Sequence, residues 1–226
     1  MEADLRDQLV ATCRRMVDQG LVAGTAGNVS VRLGGGRLLA TPAGAALDAL
    51  SPDDLCVVST ANGEVTGPRP TSELPLHLGI LRRRDDVAAI VHTHSPYAAA
   101  HAVARLDIPF ICNESLAFRA ERLLVTAYAP PGTEALALAT LAALDRQPGS
   151  RAVLLANHGA VAIADDLDTA LGVAAAAEFV TRVHHHARTL GHVAVIARED
   201  QLTMARTYGV ADIAREISAP AAGEEP

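Results

Sequence analysis

Three histidines in two separate segments have the residue type and spacing of a metal site. His92 and His94 are two positions apart at the end of an apolar run, and His158 stands between two further apolar runs. Side chains at positions i and i+2 of a strand point to one face, so a strand that continues to residue 94 offers two imidazoles to one ion. Imidazole suits Zn²⁺ and related first-row metals. A third ligand from a neighbouring strand would complete an open three-histidine site.

Glu73 is a candidate acid/base in the segment Thr71-Ser72-Glu73, which precedes an apolar helical pattern. One interpretation is structural, with Ser72 as the N-cap of the helix and Glu73 as an acid in its first turn. The other is functional: amides and hydroxyls at the helix start bind a phosphate, and Glu73 moves protons beside a cation. The two interpretations are compatible. Each histidine alone could be an ordinary polar residue at a strand end, but the trio together with Glu73 favours a metal site.

Two loops of small residues are candidate anion sites. G-T-A-G-N-V-S, residues 24–30, lacks the third glycine of a dinucleotide fingerprint and leads into a predicted strand, which excludes that kind of site. Gly27 and Asn28 could instead present N–H groups to an anion, or the loop could be a tight helix-to-strand turn. Thr41 and Gly44, in T-P-A-G, leave the same two alternatives open.

The consecutive histidines His184-His185-His186 lie within a predicted helix. Neighbouring helical residues point about 100° apart, so these three cannot all bind one ion. We expect this run to form a helix surface that faces solvent or another subunit.

Charge and composition exclude several classes of function. The formal net charge of -7 argues against nucleic acid or an anionic membrane as the main partner, but it leaves a small anionic substrate possible. No apolar run approaches the roughly 18 residues of a membrane span, and the N-terminal segment lacks the apolar stretch of a secretory signal. The three cysteines show no paired spacing. We therefore expect a cytoplasmic protein with reduced thiols.

The spacing of apolar residues predicts one α/β domain over residues 1–217, followed by a disordered tail over 218–226. Its central sheet is expected to be largely antiparallel or mixed. Helices are predicted over 3–19, 73–84, from 96, 133–144 (capped by Thr133), 166–190 and 199–217. Strands are predicted over 28–33, 37–41, 55–58, 87–91, 123–127, 152–156 and 160–164.

Taken together, the motifs G-T-A-G-N-V-S, T-P-A-G, R-P-T-S-E, H-T-H-S-P and N-H-G resemble those of the class II aldolase/adducin family, in the family's order. The resemblance extends over residues 5–212. It implies a three-layer αβα sandwich around a predominantly antiparallel sheet, and a C4 homotetramer with sites between neighbouring subunits. The pair H-x-H with a downstream N-H-G is the specific part of this resemblance.

The resemblance also implies a role for each matching position. His92, His94 and His158 match the metal-binding histidines, with Zn²⁺, or Mn²⁺, Co²⁺ or another divalent metal, as the ion. Glu73 matches the acid/base carboxylate. The positions that match or lie within the phosphate-binding loops are Gly27, Asn28, Thr41, Gly44, Thr71 and Ser72.

Two further positions concern the cover of the site and a proton donor. Tyr208, in R-T-Y-G, resembles the C-terminal tyrosine that covers the site in fuculose-phosphate aldolases. Those aldolases take a tyrosine proton donor from the neighbouring subunit, where this chain has Asn113 followed by Glu114. Our hypothesis is that Glu114 takes over this proton transfer. The surrounding I-P-x-I-x-x-E and Y-A-P-P-G-T-E resemble a branch that includes deoxypentulose-phosphate aldolases.

The resemblance predicts a divalent-metal-dependent lyase. We expect it to cleave a ketose 1-phosphate to dihydroxyacetone phosphate and a small aldehyde through a metal-stabilised enediolate, with Glu73 moving the proton. A decarboxylase or dehydratase would use the same metal. A non-catalytic scaffold, like the adducin relatives, would not need the ligands that this chain retains.

Overall fold

The computed structural model describes residues 2–209. The α-helices of this part are α1 Glu2–Asp18, α2 Leu74–Arg83, α3 Pro96–Ala104, α4 Glu134–Asp145, α5 Leu167–Leu190 and α6 Arg198–Thr207. Its strands are β1 Asn28–Gly34, β2 Arg37–Ala40, β3 Cys56–Ser59, β4 Val65–Thr66, β5 Ala89–Thr93, β6 Ile108–Pro109, β7 Arg122–Val125, β8 Ala152–Leu155 and β9 Gly159–Ala164.

The strands form one nine-stranded sheet in the order β4-β3-β2-β1-β5-β9-β8-β7-β6. Neighbouring strands are antiparallel except β7 and β8, which are parallel. The predicted antiparallel character is thereby confirmed. Strand β5 lies at the centre and is buried along its whole length, as its unbroken apolar run predicts. Strands β4 and β6 have two residues each, too few to give a periodic signal, and the sequence analysis missed them.

Helices cover both faces of the sheet, which gives the predicted three-layer sandwich. One apolar cluster joins α1, α3 and α5 to one face of the sheet, and a second joins α2 and α4 to the other. Aromatic residues make up only 3% of the chain, and small residues such as Ala170, Ala174 and Ala177 form the buried side of α5. Small side chains allow this helix to lie close against the sheet.

Of the two N-caps predicted from the sequence, the structure has the one at α4 but not the one at α2. The hydroxyl of Thr133 accepts the N–H of Leu136 at 3.3 Å, which confirms the predicted cap of α4. Ser72 does not cap α2, however: the N-cap position is Glu73, and its side chain makes no capping hydrogen bond. Because Glu73 lies just before the helix and its carboxylate does not bind the helix amides, this side chain is free to reach across to the sheet.

The C-terminal prediction was only partly right. Helix α6 ends at Thr207, so the expected continuation through Tyr208 is wrong. Residues 210–226, which include the rest of that predicted helix and the predicted tail, lie outside the described residues. Among residues 2–209, no helix combines the length and the apolar character needed to cross a membrane.

Candidate metal centre

His92 is held in one orientation by the centre of the sheet. Its side chain is fully buried and lies on the same face of β5 as Ile90, towards α2. The Nδ1 atom lies 2.9 Å from the carbonyl oxygen of Ala160 on the adjacent strand β9 and donates its proton there. A neutral imidazole that donates from Nδ1 has its lone pair on Nε2. His92 therefore directs the lone pair of Nε2 towards the other two histidines, as a metal ligand requires.

The other two predicted ligands converge on this atom. Nε2 of His94 lies 2.9 Å from Nε2 of His92, and the three ring centroids, with His158, are 4.7–4.8 Å apart. One potential ligand atom from each ring lies within 4.8 Å of the others. Strand β5 ends at Thr93, whereas the sequence analysis assumed a strand that continues to residue 94. The His94 ring nevertheless lies against the rings of His92 and His158. The cluster can hold one divalent ion.

Glu73 places a carboxylate against the histidines. Its Oε1 is 3.1 Å from Nε2 of His158, and its Oε2 is 3.5 Å from Nε2 of His92. Burial by itself raises the pKa of Glu73, but the hydrogen bond with His158 and the electrostatic interactions with His92 and His158 outweigh it, so that the pKa is lowered to about 2. The carboxylate is therefore ionised. Its Oε2 has no hydrogen-bond partner among the described residues, and a buried anionic oxygen beside three imidazoles fits a site for a cation.

Two glycines allow the loops to approach the end of β5. A Cβ atom on Gly159 would lie 2.1 Å from the carbonyl oxygen of Thr93, and one on Gly27 would lie 2.7 Å from that of His92. Any side chain at either position would push the loop away from the histidines. Because Gly159 follows His158 directly, this contact explains the glycine of N-H-G. The close contact between Gly27 and His92 by itself requires a glycine at position 27, whether or not this loop binds a phosphate.

The predicted phosphate loops meet beside the cluster. Asn28 lies directly opposite His92 across the β1–β5 pair and is buried. The hydroxyl of Thr41 accepts the backbone N–H of Val29 at 3.2 Å, so it is already bonded within the protein. The N–H of Thr71 donates to the carbonyl of Thr41 at 3.0 Å and ties the two loops together. The Thr71 hydroxyl accepts the N–H of Glu73 at 3.2 Å and keeps its own proton available.

Residues 7–185 match the family described as the Class II Aldolase and Adducin N-terminal domain. The chain belongs to the class II aldolase and adducin family. This membership agrees with the αβα architecture and with the histidine cluster at the centre of its sheet.

Relatives with named activities cover most of the chain. A 5-deoxy-D-ribulose 1-phosphate aldolase from Bacillus thuringiensis serovar kurstaki is 32% identical over 90% of this chain and 94% of its own. A 5-methylthioribulose-1-phosphate/5-deoxyribulose-1-phosphate aldolase from Rhodospirillum rubrum is 35% identical over 96% and 97%. A 3-oxo-tetronate 4-phosphate decarboxylase from Escherichia coli is 34% identical over 75% and 81%. A solved L-fuculose 1-phosphate aldolase has a TM-score of 0.84 at 31% identity over 91% and 96%. The predicted fold and lyase class are confirmed.

Four of the predicted site residues are exposed in this class II aldolase fold. Ser72 directly precedes Glu73, and Gly44 lies in the loop that follows Thr41, which is tied to Thr71; both residues are exposed. Glu114 is in the short 3-10 helix Asn113–Phe118, which packs against α5 and α6, and Tyr208 follows α6 with 61% of its surface exposed. Within residues 2–209, neither Glu114 nor Tyr208 forms a hydrogen bond or ion pair with the three histidines. Their roles stay predictions.

Sequence reasoning missed two buried groups. His77, on α2, contacts Asn28 and Ser30 through its two ring nitrogens. His184 was expected on an outward helix surface, but it is buried and its Nδ1 lies 2.9 Å from Nε2 of His101. That expectation was wrong for His184 and right for its two successors, which are exposed. The signal was available, because His184 lies four positions after the buried Val180 on one helix face.

Proposed function

We propose that the protein is a divalent-metal-dependent aldolase that cleaves a ketose 1-phosphate to dihydroxyacetone phosphate and a small aldehyde. The observation that carries this proposal is the convergence of His92, His94 and His158 beside the ionised carboxylate of Glu73. The names of the relatives narrow the substrate class. Ketoses related to 5-deoxyribulose 1-phosphate and 5-methylthioribulose 1-phosphate are the first candidates.

The three imidazoles are assigned to the metal, with Zn²⁺ as the first candidate and Mn²⁺, Co²⁺ or another divalent ion as alternatives. The support is the donor set, which has three imidazole nitrogens and an adjacent carboxylate, as borderline first-row ions prefer. When bound, such a cation supplies Lewis-acid stabilisation of negative charge that develops beside the substrate carbonyl.

Glu73 is assigned to proton transfer at the carbon that becomes nucleophilic. In the cleavage direction this carbon receives a proton, and in the condensation direction it loses one. The Oε2 atom suits the task, because no described residue hydrogen-bonds to it. The ionised carboxylate can remove the proton directly in the condensation direction, and in the cleavage direction it must first take up a proton from solvent before it passes one to the carbon. The backbone around Glu73 is fixed by the Thr71 hydroxyl, which keeps the carboxylate in place.

The phosphate is assigned to the adjoining loops. The groups that can donate hydrogen bonds there are the Asn28 amide and the hydroxyls of Thr71 and Ser72, with the exposed loop at Gly44 on the same side. The start of α2 adds its helix dipole, which favours an anion. Gly27 and Thr41 support these loops through their packing and backbone contacts.

A cytoplasmic C4 homotetramer with sites at subunit interfaces is part of the same proposal. Several large apolar side chains are exposed, including Val103, Tyr128, Leu138 and Leu190. Contiguous patches of such side chains form association surfaces, and the proposal assigns these residues to contacts between subunits. A neighbouring subunit would bring Glu114 to the site as the proton donor at the aldehyde oxygen, and Tyr208 would cover it.

The test is a cleavage assay on several ketose 1-phosphates, with a coupled detector of dihydroxyacetone phosphate. Turnover is expected on at least one of them, lost on chelation and restored by added Zn²⁺, Mn²⁺ or Co²⁺. Light scattering of the same preparation should give four times 23.5 kDa. Absence of chelator-sensitive turnover on every ketose 1-phosphate would count against the aldolase.

A decarboxylase is the second candidate, because one relative is named a 3-oxo-tetronate 4-phosphate decarboxylase. The same metal and carboxylate would serve that reaction, since loss of carbon dioxide also leaves negative charge beside a carbonyl. Release of carbon dioxide from a phosphorylated 3-oxo acid, without formation of triose phosphate from any ketose, would favour this alternative.

A further inference from the structure

His77 is buried and has both ring nitrogens bonded to strand β1. Its Nδ1 lies 2.6 Å from Oγ of Ser30, and its Nε2 lies 2.5 Å from Oδ1 of Asn28. The imidazole side chain is fully inaccessible to solvent. His77 also follows Glu73 by one helical turn, and its N–H approaches the Glu73 carbonyl at 3.3 Å. One side chain therefore links the helix of the acid/base to the strand of the candidate phosphate ligand.

Only one direction of these hydrogen bonds satisfies every buried donor. Burial lowers the pKa of His77 to about 4, although the negative charge of Glu73 acts to raise it. The ring is therefore neutral and has one N–H. Ser30 is fully buried, and its hydroxyl has no other partner among the described side chains. The Ser30 proton must therefore go to Nδ1, which leaves the ring proton on Nε2 to be donated to Asn28.

This direction decides which end of the Asn28 amide faces outwards. Because Oδ1 accepts the Nε2 proton of His77, the NH₂ group of Asn28 points away from the ring, and the contact with His77 is the one side-chain hydrogen bond of Asn28 among the described residues. The opposite tautomer would turn the amide and present its oxygen instead. An NH₂ group attracts a phosphate, and a carbonyl oxygen repels it.

We propose that His77 is a positioning residue that, with Ser30, holds the Asn28 amide with its NH₂ group towards the substrate phosphate. This inference rests on the proposed function for the identity of the anion. The hydrogen-bond direction itself rests on the buried contacts alone. His77 acts through Asn28 and touches neither the substrate nor the histidine cluster.

The first test determines the tautomer of His77 by NMR and needs no activity measurement. In ¹⁵N-labelled wild-type protein near neutral pH, the ring shifts of His77 are expected to report a neutral Nε2–H imidazole. A ring protonated at Nδ1 would overturn the proposal, whatever reaction the enzyme catalyses.

The second test compares His77→Leu with His77→Gln, whose amide can still donate to Asn28. In His77→Leu, affinity for inorganic phosphate by calorimetry is expected to fall roughly tenfold, the loss typical of a hydrogen bond to a charged group. KM for the ketose 1-phosphate should rise similarly, with kcat changed less than threefold and metal content unchanged. His77→Gln should recover most of the affinity. Unchanged phosphate affinity in folded His77→Leu, or an equal loss in both variants, would overturn the proposal.

His184→Gln is the matched control, because His184 is also a buried histidine paired through a ring nitrogen, but it belongs to the opposite helical layer. Its phosphate affinity and KM should equal those of the wild type. A tenfold loss in this control would mean that any disturbed buried histidine weakens phosphate binding, which would overturn the assignment to His77. If phosphate binding follows the expected pattern while no ketose phosphate is cleaved, the proposed reaction fails and the role of His77 stands.

Discussion

At the scale of single residues, the chemistry depends on which atoms of polar side chains remain free. Glu73 has one oxygen bonded to His158 and one without a hydrogen-bond partner among residues 2–209. His92 has Nδ1 bonded to a backbone carbonyl, and its Nε2 faces the cluster, 2.9 Å from Nε2 of His94. Each side chain is oriented by one bond and reactive at its second atom. A fixed carboxylate with one unbonded oxygen is what the proposed acid/base role of Glu73 requires.

The substitution Glu73→Gln tests the proposed acid/base role. Glutamine keeps the shape of the side chain but cannot take up a proton, so kcat is expected to fall about 100-fold or more. Metal content should stay unchanged, because the three imidazoles are intact. Steady-state kinetics and elemental analysis of the same sample measure both quantities. Glu64→Gln, which changes an exposed carboxylate in the β3–β4 hairpin, serves as control and should leave both unaltered. A fully active Glu73→Gln enzyme would remove the assigned role.

At the scale of elements, the contact between α2 and α4 fixes the helix that carries Glu73 and His77. These helices pack closely because Gly79 has no side chain: a Cβ there would lie 2.8 Å from the Cβ of Ala137. Gly172, on α5, is equally helical but exposed, with no atom within 4 Å of an added Cβ. Substitutions at these two positions therefore distinguish the effect of helix propensity, which both positions share, from the effect of close packing, which is present at Gly79 alone.

Alanine at these two positions should have opposite effects. Gly172→Ala is expected to raise the free energy of unfolding by about 0.5–1 kcal/mol, since alanine favours the helix. Gly79→Ala gains the same propensity but forces α2 away from α4, an overpacking cost of about 1–3 kcal/mol that should lower stability. Urea denaturation measures both. The Gly79 variant should also lose kcat/KM, because α2 holds the site; equal stabilisation by both substitutions would contradict the close packing.

At the scale of the whole molecule, buried neutral histidines on both sides of the sheet couple stability to pH. Burial is the largest cause in each case: it lowers the pKa of His77 to about 4, of His92 to about 3 and of His184 to about 4. Their ordinary value is 6.5. Below that value the unfolded chain takes up protons that the folded chain refuses, so acid favours unfolding.

The free energy of unfolding is therefore expected to be constant between about pH 7 and 8 and to fall as the pH decreases from 6.5 towards 4. Urea titrations at several pH values, with a chelator present to remove the contribution of metal binding, measure this slope. His184→Gln should show a shallower slope, because one of the depressed groups is gone. A stability independent of pH over this range would contradict the burial of neutral histidines.

The sequence by itself determined the types of the main elements and the identity of the candidate ligands. Apolar periodicity located α1, α5 and the central strand β5, and the motifs H-T-H and N-H-G selected His92, His94 and His158. These are local signals, because a side chain's direction within a helix or strand follows from its position in the repeat. The glycine of N-H-G was visible too, although its contact with Thr93 was not.

Only the tertiary structure decided which distant groups share hydrogen bonds. His77 lies 47 positions from Ser30 and 49 from Asn28, and no local pattern relates them. The same holds for His101 and His184, 83 positions apart. Strands and helices far apart in the chain are brought together by burial of their apolar faces, which is non-directional. The pairing of polar atoms follows from that packing, and it determines both the hydrogen-bond partners of His77 and the convergence of the three histidines at the candidate metal site.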